Sequence, residues 1–318
     1  MDRSEDELLA AIRRVLSGAG PEVRVSVGDD AAVLAPTTGE LVITTDALVE
    51  NVHFIRGLIG ARDLGHKAIV VNVSDIAAMG ASPRAAVCAL TLTSDVDVAW
   101  VMGLFGGMRQ ACDEFALWLV GGDLSRGGEI SIAVTVTGEV APGRAVLRSG
   151  ARPGDRIVVT GELGGAAAGL RFSQLHAMPT EEQRAAIHRH LRPTARVGEG
   201  AVLARLGATA MMDVSDGLSL DLSRLSRASG VGVRLMLDLV PIAPLASMAD
   251  ALGGGEDYEL LATLPGVDAV TAGRAEMHES FGVELTDIGV VIEGDGMVGV
   301  DRDGAERPLD VSGWDHFA

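Results

Sequence analysis

Apolar residues recur along this chain at two periods, and the chain switches repeatedly between them. Leu8, Leu9, Ile12, Val15 and Leu16 stand at helical spacing, which predicts a helix over 5–17 stopped by Gly18. Val23, Val25 and Val27 alternate with polar residues, and strands follow around 23–27, 31–35 and 41–45, the last running into Asp46. A helix is predicted over 63–79, closed by Gly80, with Asp75 in its later part. Strand 84–93, helix 95–115, strand 117–120 ending at Gly121-Gly122-Asp123, and a long alternating strand over 130–140 complete the first half. Turn formers crowd Pro142-Gly143 and Gly150 to Asp155, and the domain boundary falls between about 142 and 154.

The second half repeats the alternation. Strand 156–160 leads into Gly161–Gly165 and a helix over 166–175; helices follow over 180–191 and from Pro193 to about 206. Met211-Met212-Asp213 is strand-like, and Ser215-Asp216 reads as the cap of a helix to about 229. Strands recur near 231–238, 258–264 and 283–292, with a helix over 265–281. Helices and strands mixed in this way predict an α/β class. The aromatic tail Trp314-Asp315-His316-Phe317 is expected to dock. Asn72-Val73-Ser74-Asp75 and Asp213-Val214-Ser215-Asp216 echo each other, each placing Val-Ser-Asp with a helix.

Length and charge narrow the function. The 318 residues, 47% hydrophobic, leave room for two domains. A net charge of −18 argues against nucleic acid and anionic membranes as partners, and aromatics at 3% argue against base-stacking platforms. Cys88 and Cys112 read as reduced core residues. The polar N-terminus is no signal peptide, no apolar run reaches membrane-span length, and a soluble cytoplasmic protein is expected.

The chemistry lies in aspartates. In Ser26-Val27-Gly28-Asp29-Asp30-Ala31-Ala32-Val33-Leu34 two carboxylates sit behind a glycine. Asp30, Asp46, Asp75, Asp123, Asp213 and Asp216 each stand by a strand end, a glycine or a hydroxyl residue, mostly among apolar neighbours. If several converge, protonation or cations must relieve their repulsion. Carboxylates with Ser and Thr hydroxyls suit Mg²⁺, whose usual clients are phosphates. The competing reading makes them caps and turn formers, which suits Asp216 best.

No G-x-x-x-x-G-K-S/T loop exists. Gly294 to Gly299 matches G-x-G-x-x-G, but strand and turn follow it, so it reads as a hairpin. Gly161–Gly165 is the better anion site, unless close helix packing accounts for its glycines. Arg148 is either a phosphate fork or a solvated linker residue. His53, beside Phe54, has a structural alternative, and His66, His176, His188 and His190 read as helix-surface residues. Glu256 and Asp257 follow a glycine loop at a strand entry.

Taken together, these segments closely resemble the thiamine-monophosphate kinase family. The resemblance rests on Gly28-Asp29-Asp30-Ala31-Ala32, Thr44 to Phe54, Asn72 to Ala81, Gly121-Gly122-Asp123, Asp213 to Leu218, and Gly254 to Leu260, and runs from about residue 25 to the terminal Trp314-Asp315-His316-Phe317. It implies a two-domain α/β (α+β) fold of the aminoimidazole ribonucleotide synthetase type. Residues 1–148 would form an N-terminal ATP/Mg-binding domain whose mixed sheet builds a barrel across a homodimer. Residues 149–318 would form a C-terminal α/β domain. It implies transfer of the γ-phosphoryl of ATP to thiamine monophosphate, giving thiamine diphosphate. Carried over, Asp30, Thr44, Thr45, Asp46, Asp75, Asp123, Asp213 and Asp216 are expected to hold several Mg²⁺ ions. Gly122, Asp123, Arg148 and Ser215 are expected to contact the co-substrate ATP, and His53, Glu256 and Trp314 thiamine monophosphate. No acid–base residue is implied. Leu124, where the family usually has threonine, and the short segment Pro241 to Gly253 depart from the pattern. Another ATP-dependent synthetase of the superfamily, or a silent nucleotide or thiamine sensor, are the alternatives.

Overall fold

The computed structural model describes residues 5–16, 18, 20–27, 31–175 and 177–314. Gly28, Asp29, Asp30, His176 and Asp315 to Phe317 lie outside these. The chain divides into two units: the described residues up to Ile76 with Ser82–Gly143, and Ala77–Ala81 with the described residues from Arg144 onward.

The first unit runs α1 (Glu5–Val15), β1 (Val23–Val25), β2 (Val33–Leu34), β3 (Glu40–Val49), α2 (Ala61–Ala78), β4 (Ser82–Leu92), α3 (Val98–Glu114), β5 (Trp118–Arg126) and β6 (Ser131–Val140). β1 and β2 form a small antiparallel pair, and four strands form a mixed sheet in the order β3-β6-β4-β5, with β4 and β5 parallel. β6 keeps the alternation its sequence predicts: Ile132, Val134, Val136, Gly138 and Val140 are buried, and the residues between them are only partly so. α2 is buried nearly all round, from Leu64 to Ala78 with only Asp75 partly open, as a central helix must be. It lies against α3 with no room for side chains where they cross. A Cβ on Gly65 would stand 1.9 Å from Leu104 O, and one on Gly107 1.8 Å from Arg62 O.

β5 does not end at Gly121-Gly122-Asp123 as expected but continues through it to Arg126, paired with β4. Gly122 makes this possible, because a Cβ there would stand 1.9 Å from Cys88 O. His66 is buried in α2 against Glu114, 3.1 Å away, and is not a surface residue. Cys88 and Cys112 are buried and free, and burial pushes both thiols up to about 12.

The second unit runs β7 (Arg156–Thr160), α4 (Gly165–Ser173), α5 (Glu181–Leu191), α6 (Val197–Arg205), β8 (Ala210–Asp213), α7 (Leu218–Ser229), β9 (Gly232–Met236), α8 (Met248–Gly253), β10 (Leu260–Leu264), α9 (Val267–Phe281), β11 (Leu285–Ile292), β12 (Met297–Val300) and β13 (Glu306–Pro308). Seven strands form one sheet in the order β13-β12-β9-β11-β7-β10-β8. Its central strands are buried on both faces and therefore read as unbroken apolar runs. Ile157, Val159, Met212 and Leu261 pack with Leu218, Leu222 and Leu225 of α7, while Val158, Met211, Leu260 and Ala262 pack with α6 and α9.

Three expectations need correcting here. The glycines 294–299 do not turn a hairpin between β11 and β12, because β12 pairs in parallel with β9 and its hairpin partner is β13. The helix after Pro193 starts only at Val197. His190 is buried and pairs with Glu256, so it is not a surface residue either, whereas His188 is exposed. Among the described residues, no helix is long and apolar enough to cross a membrane.

Candidate functional site

In the first unit, β3 and α2 place one group of the expected site residues. Thr44 Oγ1 donates to Asp75 Oδ2 at 2.5 Å. Asp46 is tied to the same helix through its backbone, whose N–H donates to Asn72 Oδ1 at 2.9 Å, while Asn72 Nδ2 donates to Ala68 O. Strand alternation then puts Thr45 on the opposite face, where its hydroxyl donates to Val134 O and accepts from Thr135. Asp123 is exposed on β5 opposite Ala89 and accepts from Ser125 Oγ at 2.7 Å. His53 Nδ1 accepts the N–H of Val49 at 3.0 Å, which closes the turn after β3 and leaves the ring proton of the neutral imidazole on Nε2.

In the second unit, the turn after β8 gathers residues remote in sequence. Asp213 is buried at the end of the strand. Ser215 O accepts the N–H of Glu256 at 2.8 Å, and Asp216 O accepts the N–H of Trp314 at 3.1 Å. A carboxylate and a half-exposed indole are thereby attached to the Asp213–Asp216 turn. Asp216 does not cap α7: Gly217 holds that position without a side-chain bond. Asp221, fully buried in the first turn of α7, instead pins the turn before the helix, accepting from Ser215 N and Asp216 N at 3.1 and 3.0 Å. The echo of the two Val-Ser-Asp stretches is thus not structural, since Asp75 lies within α2 and Asp216 precedes α7. Arg148 is exposed in the segment before β7.

Glu256 and Tyr258 take left-handed backbone angles, φ 70° and 53°, strained for residues with a Cβ. Their neighbours hold the segment. Asp257 accepts from Gly164 N and Ala166 N at 2.5 and 3.0 Å. Glu259 accepts a two-pronged bond from Arg196, at 2.7 and 2.5 Å, and a third from Thr160 Oγ1 at 2.6 Å. The N-terminus of α4, expected as an anion site at Gly161–Gly165, is therefore already filled by the chain's own carboxylate. Burial pushes Asp257 up to about 7, against the two N–H donors that favour its charged form. Beside it opens a cavity of about 360 Å³, lined in part by His188, Arg189, Arg192, Arg196, Glu256 and Asp257.

The residues that sequence reasoning missed are Asn72, Asp221, Arg224, Arg196 and Glu259. Asp221 carried a signal: it falls on the apolar face of α7, between Leu218 and Leu222. The donors in both units are carboxylate and hydroxyl oxygens, chemistry that fits Mg²⁺. Among the described residues no three acidic, histidine or cysteine side chains form a metal cluster, and Asp30 lies outside them.

Two domain families match the chain: AIR synthase related protein, N-terminal domain, over residues 28–140, and the corresponding C-terminal domain over 152–302. Fold and site thus define an AIR synthase-type α/β protein. The thiamine-monophosphate kinase of Escherichia coli (strain K12) is 40% identical over 309 residues, covering 93% of each chain. The crystal structure of thiamine-monophosphate kinase from Stenotrophomonas maltophilia K279a superposes with a TM-score of 0.84 at 35% identity, covering 96% of this chain and 98% of that one. AaThiL complexed with AMPPCP and TMP gives 0.78 at 34%, covering 98% and 97%. The chain belongs to the thiamine-monophosphate kinase family.

Proposed function

We propose that this chain transfers the γ-phosphoryl of ATP to the phosphate of thiamine monophosphate, releasing ADP and thiamine diphosphate. The carrying observation is the pair of backbone bonds that fasten Glu256 and Trp314 to Ser215 and Asp216. They hold the backbones of an acidic and an aromatic residue against the turn with the acidic residues, the Glu256 carboxylate itself pairing with His190 at 3.0 Å, and an anion and an aromatic face suit a cationic heteroaromatic substrate carrying a phosphate. Trp314 stacks on a substrate ring, Glu256 accepts from its amino group, and His53 donates from Nε2 to its phosphate. Gly122, Asp123, Arg148 and Ser215 contact ATP.

The attacking oxygen belongs to a phosphate monoester whose second pKa is about 6, so it is already anionic near neutral pH and needs no general base. A bond forms from that oxygen to the γ-phosphorus as the bond to the β-bridging oxygen breaks. The residues' task is to align the two phosphates in line and offset their repulsion. Asp30, Thr44, Asp46, Asp75, Asp123, Asp213 and Asp216 would hold Mg²⁺, which supplies charge neutralisation when bound; the Thr45 hydroxyl, on the other face of β3 and bonded to Val134 O, is dropped from the expected set.

The assembly we infer is a cytoplasmic homodimer. Leu41, Ile43 and Val87 are 60, 65 and 40% exposed on the uncovered face of the first sheet, which supports a second copy there. The division of function follows residues 1–148 and 149–318. One assay tests the reaction: ATP, Mg²⁺ and thiamine monophosphate, with thiamine diphosphate and ADP quantified by chromatography. Equimolar product is expected, and ATP-dependent binding without product would establish a sensor instead.

A further inference from the structure

Arg224 has no place in the reaction as derived so far, yet it touches one of its assigned residues. A single nitrogen, Nη1, donates to Asp221 Oδ1 at 2.7 Å and also to Asp216 Oδ2. The two acids it joins differ in kind. Asp221 is fully buried, spends its other oxygen on two backbone N–H groups, and is fixed in the first turn of α7. Asp216 has a side chain 23% exposed, on the turn that carries Asp213, Ser215 and Trp314. Two carboxylates this close repel one another, and the guanidinium between them offsets that repulsion.

The geometry points to Arg224 as a positioning residue: it orients the Asp216 carboxylate and competes with Mg²⁺ for it. This rests on the assignment of Asp216 as a magnesium ligand. Arg224 on Asp216 Oδ2 leaves other lone pairs of that carboxylate open to a cation, but two positive charges on one carboxylate repel, so each weakens the hold on the other. Arg224 need not leave the turn, because Asp221 retains it. The competition leaves the backbone in place, because Asp221 pins Ser215 N and Asp216 N. The tether keeps Asp216 in a defined orientation, at the cost of weaker affinity for the metal.

The test measures binding, not turnover. Mg²⁺ is titrated calorimetrically into the full chain saturated with the non-hydrolysable ATP analogue AMPPCP. Arg224→Gln is expected to bind Mg²⁺ about fivefold tighter, the scale of a partly exposed ion pair. Arg227→Gln removes the same charge one turn along α7 from an exposed position and is expected to change affinity by less than twofold. Asp216→Asn is expected to weaken binding and to abolish the effect of Arg224→Gln in the double variant. Because Arg224→Gln strands the buried Asp221 charge, Asp221→Asn with Arg224→Gln is the second variant. It keeps an acceptor for the turn and is also expected to bind more tightly. If both Arg224 variants bind no tighter than wild type, or no tighter than Arg227→Gln, while Asp216→Asn binds more weakly, the inference fails and the metal assignment stands. If Asp216→Asn binds like wild type, the metal assignment fails and the inference falls with it.

Discussion

The two larger sheets of this protein are built from similar residues and treat water differently. In the second unit β7, β8 and β10 are covered on both sides, and their apolar residues divide between two cores. In the first unit the sheet is covered by helices on one side, yet β3 also carries Leu41 and Ile43 on the other. An apolar residue on an outward strand position contributes nothing to its own unit's core. That face is the one the proposed second copy would cover. The same composition therefore closes on itself in one sheet and leaves apolar residues exposed in the other.

The severest test of the comparison asks whether both sheets contribute chemistry. Asp75→Asn on α2 and Asp213→Asn at the end of β8 are each expected to lower kcat about a thousandfold or more, by weakening the hold on metal and phosphate. Circular dichroism should show both still folded. Near-normal turnover in either variant at ordinary magnesium would remove that unit from the mechanism. Next in size is the covered core. Leu261→Ala should cost about 2–5 kcal/mol in urea unfolding, as for a fully buried leucine. On the bare face, Ile43→Glu should leave monomer stability within about 1 kcal/mol and shift sedimentation from dimer to monomer. If it costs as much as Leu261→Ala without altering association, the two sheets are alike after all.

The smallest effect is a pH dependence. The Asp257 carboxyl is raised to about 7 by burial, above the ordinary value near ~3.9 of an unfolded chain. Its contribution to stability is full below the unfolded value and is lost as pH rises through 7. Wild type should therefore lose more stability than Asp257→Asn between pH 5 and pH 8, read from urea midpoints at each pH.

What could be read from the sequence follows from range. The alternation of β6 and the helical spacing of α3 are local patterns, and they were legible, whereas β3 runs on through Asp46 to Val49 instead of ending there. What escaped depends on pairing across distance. That β5 continues through Gly121-Gly122-Asp123 is decided by the Cys88 carbonyl of its neighbour. That β12 joins β9 instead of folding back on β11 is decided by the whole sheet. The anion seat at α4 is filled by Asp257, 93 residues from Gly164, and no local pattern reveals such an occupant. The acidic positions were visible because carboxylates among apolar neighbours are unusual. The residues that steer them, Asn72, Asp221 and Arg224, show only once the helices are placed.

The crossing of α2 and α3 carries a consequence for how this protein can change over generations. With no space for a methyl group at Gly65 or Gly107, neither position can drift neutrally, and a substitution at one is not rescued by a smaller residue at the other. The two helices inherit their spacing as a unit. Asp75 lies ten positions along α2 from Gly65, so the distance between its carboxylate and Thr44 is inherited with it.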